Sequence, residues 1–188
     1  MKTLENIREA LPGYARDLQL NLGTVLTRAG APGLDERQIW AVALASAAAS
    51  RNAAFTRDMQ AIAAQHLDAA HVSAAHAAAA VMAMNNVYYR FLHLVEDPEY
   101  AKLPARLRMN ILGSPGIAKA DFELLALAVS AINACGTCVA SHERQLRQHG
   151  LEREAVQSAV RIAAIVHAVA RVLESVADEG AAAHSRAA

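Results

Sequence analysis

The sequence predicts an all-α helical bundle, on three observations. Alanine, the strongest helix former, is abundant, while aromatic residues make up only 4% of the chain. Alternating β-branched runs and Asn-Gly hairpin signals are lacking. Helix caps and breakers recur at helical spacing from end to end.

Each element follows from local chemistry. Thr3 can cap a short first helix that stops near Pro12-Gly13. A second runs from about Tyr14 to Thr27 and ends in Gly30-Ala31-Pro32-Gly33. Asp35, with Gln38 three residues later, resembles a capping box and opens a helix through Trp40 and Leu44 to about Ser50. Asn52 caps the next, to about His66. Asp68 or Ser73 starts a long apolar helix through Met82, Met84 and Tyr88 that stops before Asp97-Pro98. A short helix is expected over about 105–112, closed by Gly113-Ser114-Pro115-Gly116. A buried helix then spans about 118–134 and another about 136–149, with Gly150 as its stop. The last spans about 152–176. Residues 1–178 read as one helical domain and 179–188 as a flexible tail.

A faint repeat runs through the chain. Leu44 to Asn52 aligns with Leu127 to Cys135, which implies two related helical halves. In that register Asn52 and Phe55 occupy the places of Cys135 and Cys138, so only the second half keeps the chemistry.

Composition narrows the function. Lysine plus arginine total 18, as do aspartate plus glutamate, so the net charge is zero and nothing attracts nucleic acid or acidic membrane. The stretch Met1 to Glu9 mixes charges with apolar positions, unlike a signal peptide. The most apolar window, Leu124 to Ala140, is broken by Ser130, Asn133, Gly136 and Thr137 and is a poor bilayer span. A cytoplasmic protein is expected, with no membrane or nucleic-acid partner. Alanine-faced helices bury little area each, so a homo-oligomer is expected as well.

The chemistry gathers at Cys135-Gly136-Thr137-Cys138 and His142. Both cysteines of the chain sit here, close enough to exchange between dithiol and disulfide or to supply half a metal site. At helical spacing the two thiols and the imidazole share one face. Glu123 is the acid in the apolar run leading into them. On one straight helix Glu123 and His142 would lie about 28 Å apart. A fold-back at Asn133-Ala134-Cys135-Gly136 makes the helices antiparallel and brings the two within near reach. A helix N-terminus favours an anion by only about 0.3–1 kcal/mol, so a basic partner is needed, and His142 is the candidate. Glu123 would orient the ring.

Plainer readings stand beside these. Two cysteines can be inert buried thiols. A structural zinc site wants four ligands, and Cys135, Cys138 and His142 give three. Glu123 can be a surface acid. His66, His71 and His76 are spaced by five, so they share no helical face and read as scaffold residues. Met82, Met84 and Trp40 read as core, and Glu143 and Arg144 as a solvated face.

Glu123, eleven intervening residues, then Cys135-x-x-Cys138-x-x-x-His142 resembles the active-site pattern of the alkylhydroperoxidase D (AhpD) family, in the carboxymuconolactone decarboxylase superfamily. Leu11-Pro12-Gly13-Tyr14-Ala15-Arg16-Asp17-Leu18-Gln19-Leu20-Asn21-Leu22, Met84-Asn85-Asn86-Val87-Tyr88-Tyr89-Arg90 and Arg108-Met109-Asn110-Ile111 extend the likeness over most of the chain. No chemistry derived from the residues accounts for Asn85, Asn86 or Asn110.

The resemblance implies an all-α homotrimer that reduces organic hydroperoxides without a bound cofactor or metal. It implies that Cys138 attacks the peroxide, that Cys135 resolves the sulfenic acid to a Cys135–Cys138 disulfide, and that Glu123 and His142 relay protons. It implies dihydrolipoamide, on a dihydrolipoyl acyltransferase domain, as external reductant, and a peroxiredoxin (AhpC) as electron acceptor. Thr137 departs from the family pattern, which places a histidine between the cysteines. The alternatives are another enzyme of the superfamily, acting on lactones, and a metal-binding or assembly module.

Overall fold

A computed structural model describes residues 3–186, and side chains as far as residue 177. Ten α-helices make up the described chain: α1 (Leu4–Glu9), α2 (Arg16–Val25), α3 (Glu36–Ala49), α4 (Ala53–Ala63), α5 (Ala69–Leu94), α6 (Glu99–Lys102), α7 (Asn110–Gly113), α8 (Lys119–Ile132), α9 (Gly136–Gln148) and α10 (Arg153–Arg186). No strand occurs among the described residues.

The caps work as their chemistry predicts. Thr3 and Asp35 close reciprocal capping boxes with Asn6 and Gln38. Asn52 accepts from the Phe55 N–H, and Asp68, not Ser73, caps α5.

Two expectations are corrected. Of the helix expected over 105–112 only residues 110–112 are helical, as part of α7; residues 104–109 are irregular, with Arg106 at φ 52°, and α6 lies before them. The last helix does not stop near Val176 but continues to Arg186, so residues 179–186 of the expected tail are helical and 187–188 lie outside the described residues.

Helices α3 and α8 form the centre. Ile39 to Ala47 of α3 are buried without interruption, as are Leu124 to Ser130 of α8. Helices α5 and α10 each pack against both; α4 packs on α3, and α9 on α8 and α5. The Arg153–Ala177 stretch has the length, and over 18 of its residues the apolarity, of a bilayer span. Its apolar face is instead occupied, with Ile162, Val166 and Val169 buried against α2, α3 and α8.

The repeat extends to whole elements. Shifting α3 by 83 residues gives the bounds of α8, and the same shift carries the start of α4 onto α9. Gln38 and Asp121, equivalent in this register, meet each other: Gln38 Nε2 donates to Asp121 Oδ1 at 2.8 Å. That is the contact expected where two halves face one another across a pseudo-two-fold axis.

The helix-to-helix corners also match. Arg51 and Ala134 both lie in the left-handed region (φ 63° and 54°). Asn52 (φ −95°, ψ 101°) and Cys135 (φ −96°, ψ 90°) then start the next helix from nearly one backbone conformation. In the second corner the Cys135 N–H donates to Ser130 O and the Ala134 N–H to Ala131 O, both at 3.1 Å. This is the Schellman pattern, which satisfies carbonyls at the end of α8. An alanine at its left-handed position costs about 1 kcal/mol relative to glycine.

Side chains hold that corner from α5. Buried Asn86 donates through Nδ2 to Ser130 Oγ and accepts from Asn133 Nδ2, both at 2.9 Å, and Arg90 Nη1 donates to Asn133 O at 2.8 Å. Asn86, without a role in the sequence, thus ties the long helix to the turn.

Asn86→Ala leaves Ser130 and Asn133 without these partners and is expected to cost about 2 kcal/mol. Urea denaturation checks this; a loss below about 0.5 kcal/mol, within the range of ordinary surface changes, would show the network to be dispensable.

His167 supplies a second test. Burial, and then the Arg171 charge, hold its imidazole below its ordinary value, and Nδ1 lies 3.1 Å from Ser50 Oγ. The unfolded chain binds this proton more readily than the native one. The stabilising contribution is therefore complete above about pH 6.5 and is lost as pH falls through the lowered native value. His167→Gln should flatten the stability–pH curve in that window; equal slopes in parent and variant would assign the dependence elsewhere.

Candidate active site

The corner 133–136 sets the site. Helices α8 and α9 run back on one another from it, so α9 starts beside the end of α8 and Glu123 lies alongside the middle of α9. Glu123 Oε2 and His142 Nδ1 are 2.6 Å apart, with side chains 20% and 12% exposed. A carboxylate at Nδ1 accepts that nitrogen's proton and leaves Nε2 as the free ring nitrogen. The pair that sequence placed within near reach is in direct contact.

Cys135 and Cys138 are joined by a disulfide, with Cα atoms 5.3 Å apart. Cys135 is the N-cap of α9, so Cys138 sits in the first turn, where backbone N–H groups point outward. No Cys135 side-chain bond closes the helix end, whereas Asn52 closes the equivalent end of α4. The cysteine thus gives up a cap of the kind worth about 1 kcal/mol.

The two sulfurs are not equivalent. Cys135 is 0% exposed and Cys138 6%. Cys138 lines a cavity of about 330 Å³ together with His142, Thr137, Asn85 and the apolar side chains of Met82 and Met109. Its walls come from α5, the segment before α8, and α9. Sequence reasoning missed its far wall, because residues near 82–89 and 109–112 announce no contact with a motif at 135–142. Met82 proves to be both core and cavity lining. Arg144 is exposed as expected, at the cavity wall.

The first half carries an apolar counterpart. Shifted by 83 residues, Glu123, Cys138 and His142 fall on Trp40, Phe55 and Met59, all buried core residues. One scaffold position is thus filled by hydrocarbon in one half and by ionisable groups in the other.

A larger cavity, about 610 Å³, lies between the two corners, lined by Ser50, Arg51, Asn133, Ala134 and side chains of α5 and α10. Neither cysteine reaches it. Among the described residues no group of three or more His, Cys, Asp or Glu is arranged to hold a metal. His66, His71 and His76 have separate partners: His66 pairs with Glu36 and stacks on Trp40, His71 pairs with Asp68, and His76 with Gln60. Hydrogen bonding to His71 keeps the Asp68 carboxyl below its ordinary value. Asn110 begins α7 and is exposed, and the structure gives it no contact with the site.

Comparison with known proteins agrees with this geometry. Residues 98–177 match the Carboxymuconolactone decarboxylase family. The chain is 53% identical to the alkyl hydroperoxide reductase AhpD of Rhodospirillum centenum, over 92% of this chain and 91% of that protein. It is 52% identical to the AhpD of Gluconacetobacter diazotrophicus (95% and 96%), and 48% to that of Frankia alni (92% of each). The fold, the cysteine pair and these relatives together place the chain in the AhpD family of carboxymuconolactone decarboxylase-type proteins.

Proposed function

We propose that this chain is a thiol-dependent alkyl hydroperoxide reductase and that Glu123, Cys135, Cys138 and His142 carry the reaction. One observation supports it above the rest: Cys138 and His142 share a cavity, with Glu123 on the ring's other nitrogen.

In the reduced protein His142 Nε2 takes the Cys138 proton. The thiolate attacks the outer oxygen of R–O–O–H. An S–O bond forms, the O–O bond breaks, and the departing alkoxide takes the proton from the imidazolium to leave as alcohol. Sulfur is oxidised and the peroxide reduced. The Cys135 thiol then attacks the Cys138 sulfenic acid; the S–S bond forms and hydroxide leaves with a proton as water. The observed disulfide is the end state of this half-cycle. The apolar wall, with Met82 and Met109, favours organic hydroperoxides over hydrogen peroxide.

A dithiol must reopen the disulfide. Dihydrolipoamide, presented by a dihydrolipoyl acyltransferase domain, suits the task, with attack at the sulfur of Cys138, the less buried of the two, through the cavity that it lines. Electrons then pass to a peroxiredoxin (AhpC). The family resemblance gives the mixed disulfide with that partner to Cys135, which is wholly buried in the oxidised state, so that step requires the 133–136 corner to open. Thiol cycling of this kind belongs to a reducing compartment, the cytoplasm. An apolar strip of Val87, Phe91 and Leu94 on α5, continued by Tyr100 and Leu103, is exposed and supports assembly into the homotrimer that the resemblance implies.

Stopped-flow oxidation by an organic hydroperoxide tests the roles. Cys138→Ser is expected to abolish the fast phase, and Cys135→Ser to leave a sulfenic acid that dimedone traps. Parent-like kinetics in both variants would refute the assignment.

His142→Ala should slow iodoacetamide alkylation of Cys138 at pH 7 about a hundredfold, the scale of a lost positioned base. An unchanged rate would leave the imidazole without a part in thiol activation.

A further inference from the structure

The cavity beside Cys138 contains one polar group that nothing else in the protein explains. Asn85 is 3% exposed, it lines the cavity, and its Oδ1 has no hydrogen-bond partner among the described residues. Its neighbour Asn86 is fully engaged with Ser130 and Asn133, so the two adjacent amides serve different ends. A buried amide oxygen without a partner costs about 1–3 kcal/mol. Nothing in the packing requires that cost, since leucine has the same branching and number of side-chain heavy atoms and α5 surrounds the position with Val81, Met82 and other apolar side chains. An orphaned polar atom on a side chain that lines a cavity is the arrangement expected where a ligand completes the hydrogen bonds.

We infer that Asn85 is the substrate-binding group of the site, which grips the two peroxide oxygens over Cys138; the inference rests on the peroxidase reading above. The side-chain amide offers one acceptor and two donors. Its oxygen accepts the hydroperoxide O–H, which turns the outer oxygen toward the sulfur. Its NH₂ donates to the inner oxygen, where negative charge develops as the O–O bond breaks and before His142 delivers its proton. The second contact strengthens as the reaction proceeds, so it lowers the barrier as well as binding the substrate.

The test uses a Cys135→Ser background, in which Cys138 is the one thiol. Asn85→Ala and Asn85→Leu are compared with that parent in two reactions: oxidation by tert-butyl hydroperoxide, read as the dimedone adduct, and alkylation by iodoacetamide. The expected result is a peroxide rate lower by about a hundredfold in both variants, the scale of one lost transition-state donor. Alkylation should stay within twofold and the denaturation midpoint should not fall. A peroxide rate within twofold of the parent's overturns the inference. So does a parallel fall in both reactions, which would place Asn85 in thiol activation or structure, and so does loss of the fold in both variants. If the parent itself oxidises no faster than free cysteine, the peroxidase reading fails and the inference falls with it. A fast parent with unaltered variants removes Asn85 alone.

Discussion

The turn at Asn133-Ala134-Cys135 is the constraint on which the rest of the structure depends. Ala134 adopts a left-handed conformation that an L-residue enters at a cost, and the chain reverses there after α8. Without that reversal Glu123 and His142 would be about five helical turns apart on one rod. With it, α8 and α9 pack together, the carboxylate reaches the imidazole at 2.6 Å, and Cys138 enters the first turn of a helix. One backbone corner does three things: it brings the sulfurs together, sets an imidazole against a carboxylate, and places Cys138 at a helix end. The two Schellman hydrogen bonds and the brace of Asn86 and Arg90 from α5 hold the corner against its own strain.

Much of this was legible in the sequence because it is local. Thr3, Asp35, Asn52 and Asp68 announce helix starts through side-chain oxygens that need only the next three residues to act. The Asn133 to Gly136 break is read the same way. The repeat was visible as a nine-residue match and extends to an 83-residue shift of whole helices. The errors fall where local signals give out. Residues 105–112 have helix-forming composition, but a left-handed Arg106 interrupts them. The end of α10 was placed too early because the charged, alanine-rich stretch after Val176 carries no tertiary signal of its own.

The site was half legible for the same reason. Glu123, Cys135, Cys138 and His142 lie on two consecutive helices, so spacing alone could pair them. The opposite wall comes from α5 and from the segment that carries Met109, distant in sequence and without any motif. Asn85 and Asn86 were visible as a polar pair in an apolar helix. Their separate meanings depend on which way each faces: Asn86 toward the α8 corner, Asn85 toward the cavity. Successive residues on a helix are rotated by about 100°, so neighbours in sequence address different parts of the molecule.

The two halves show how such a site can be carried on a scaffold that also has to be stable. In the first half Asn52 caps its helix through Phe55 N–H and also donates to Ala170 O at 3.0 Å, and Trp40, Phe55 and Met59 add hydrocarbon to the core. In the second half every one of those positions is surrendered: the cap becomes Cys135, the ring becomes Cys138, and the core residues become an acid and an imidazole. Phenylalanine at the position of Cys138 would occupy space that now belongs to the cavity. The losses fall on one half while the other, joined to it through α3, α5, α8 and α10, keeps its packing intact. A fold with two copies of one corner can leave the first to secure the bundle and use the second for chemistry that packing alone would disfavour.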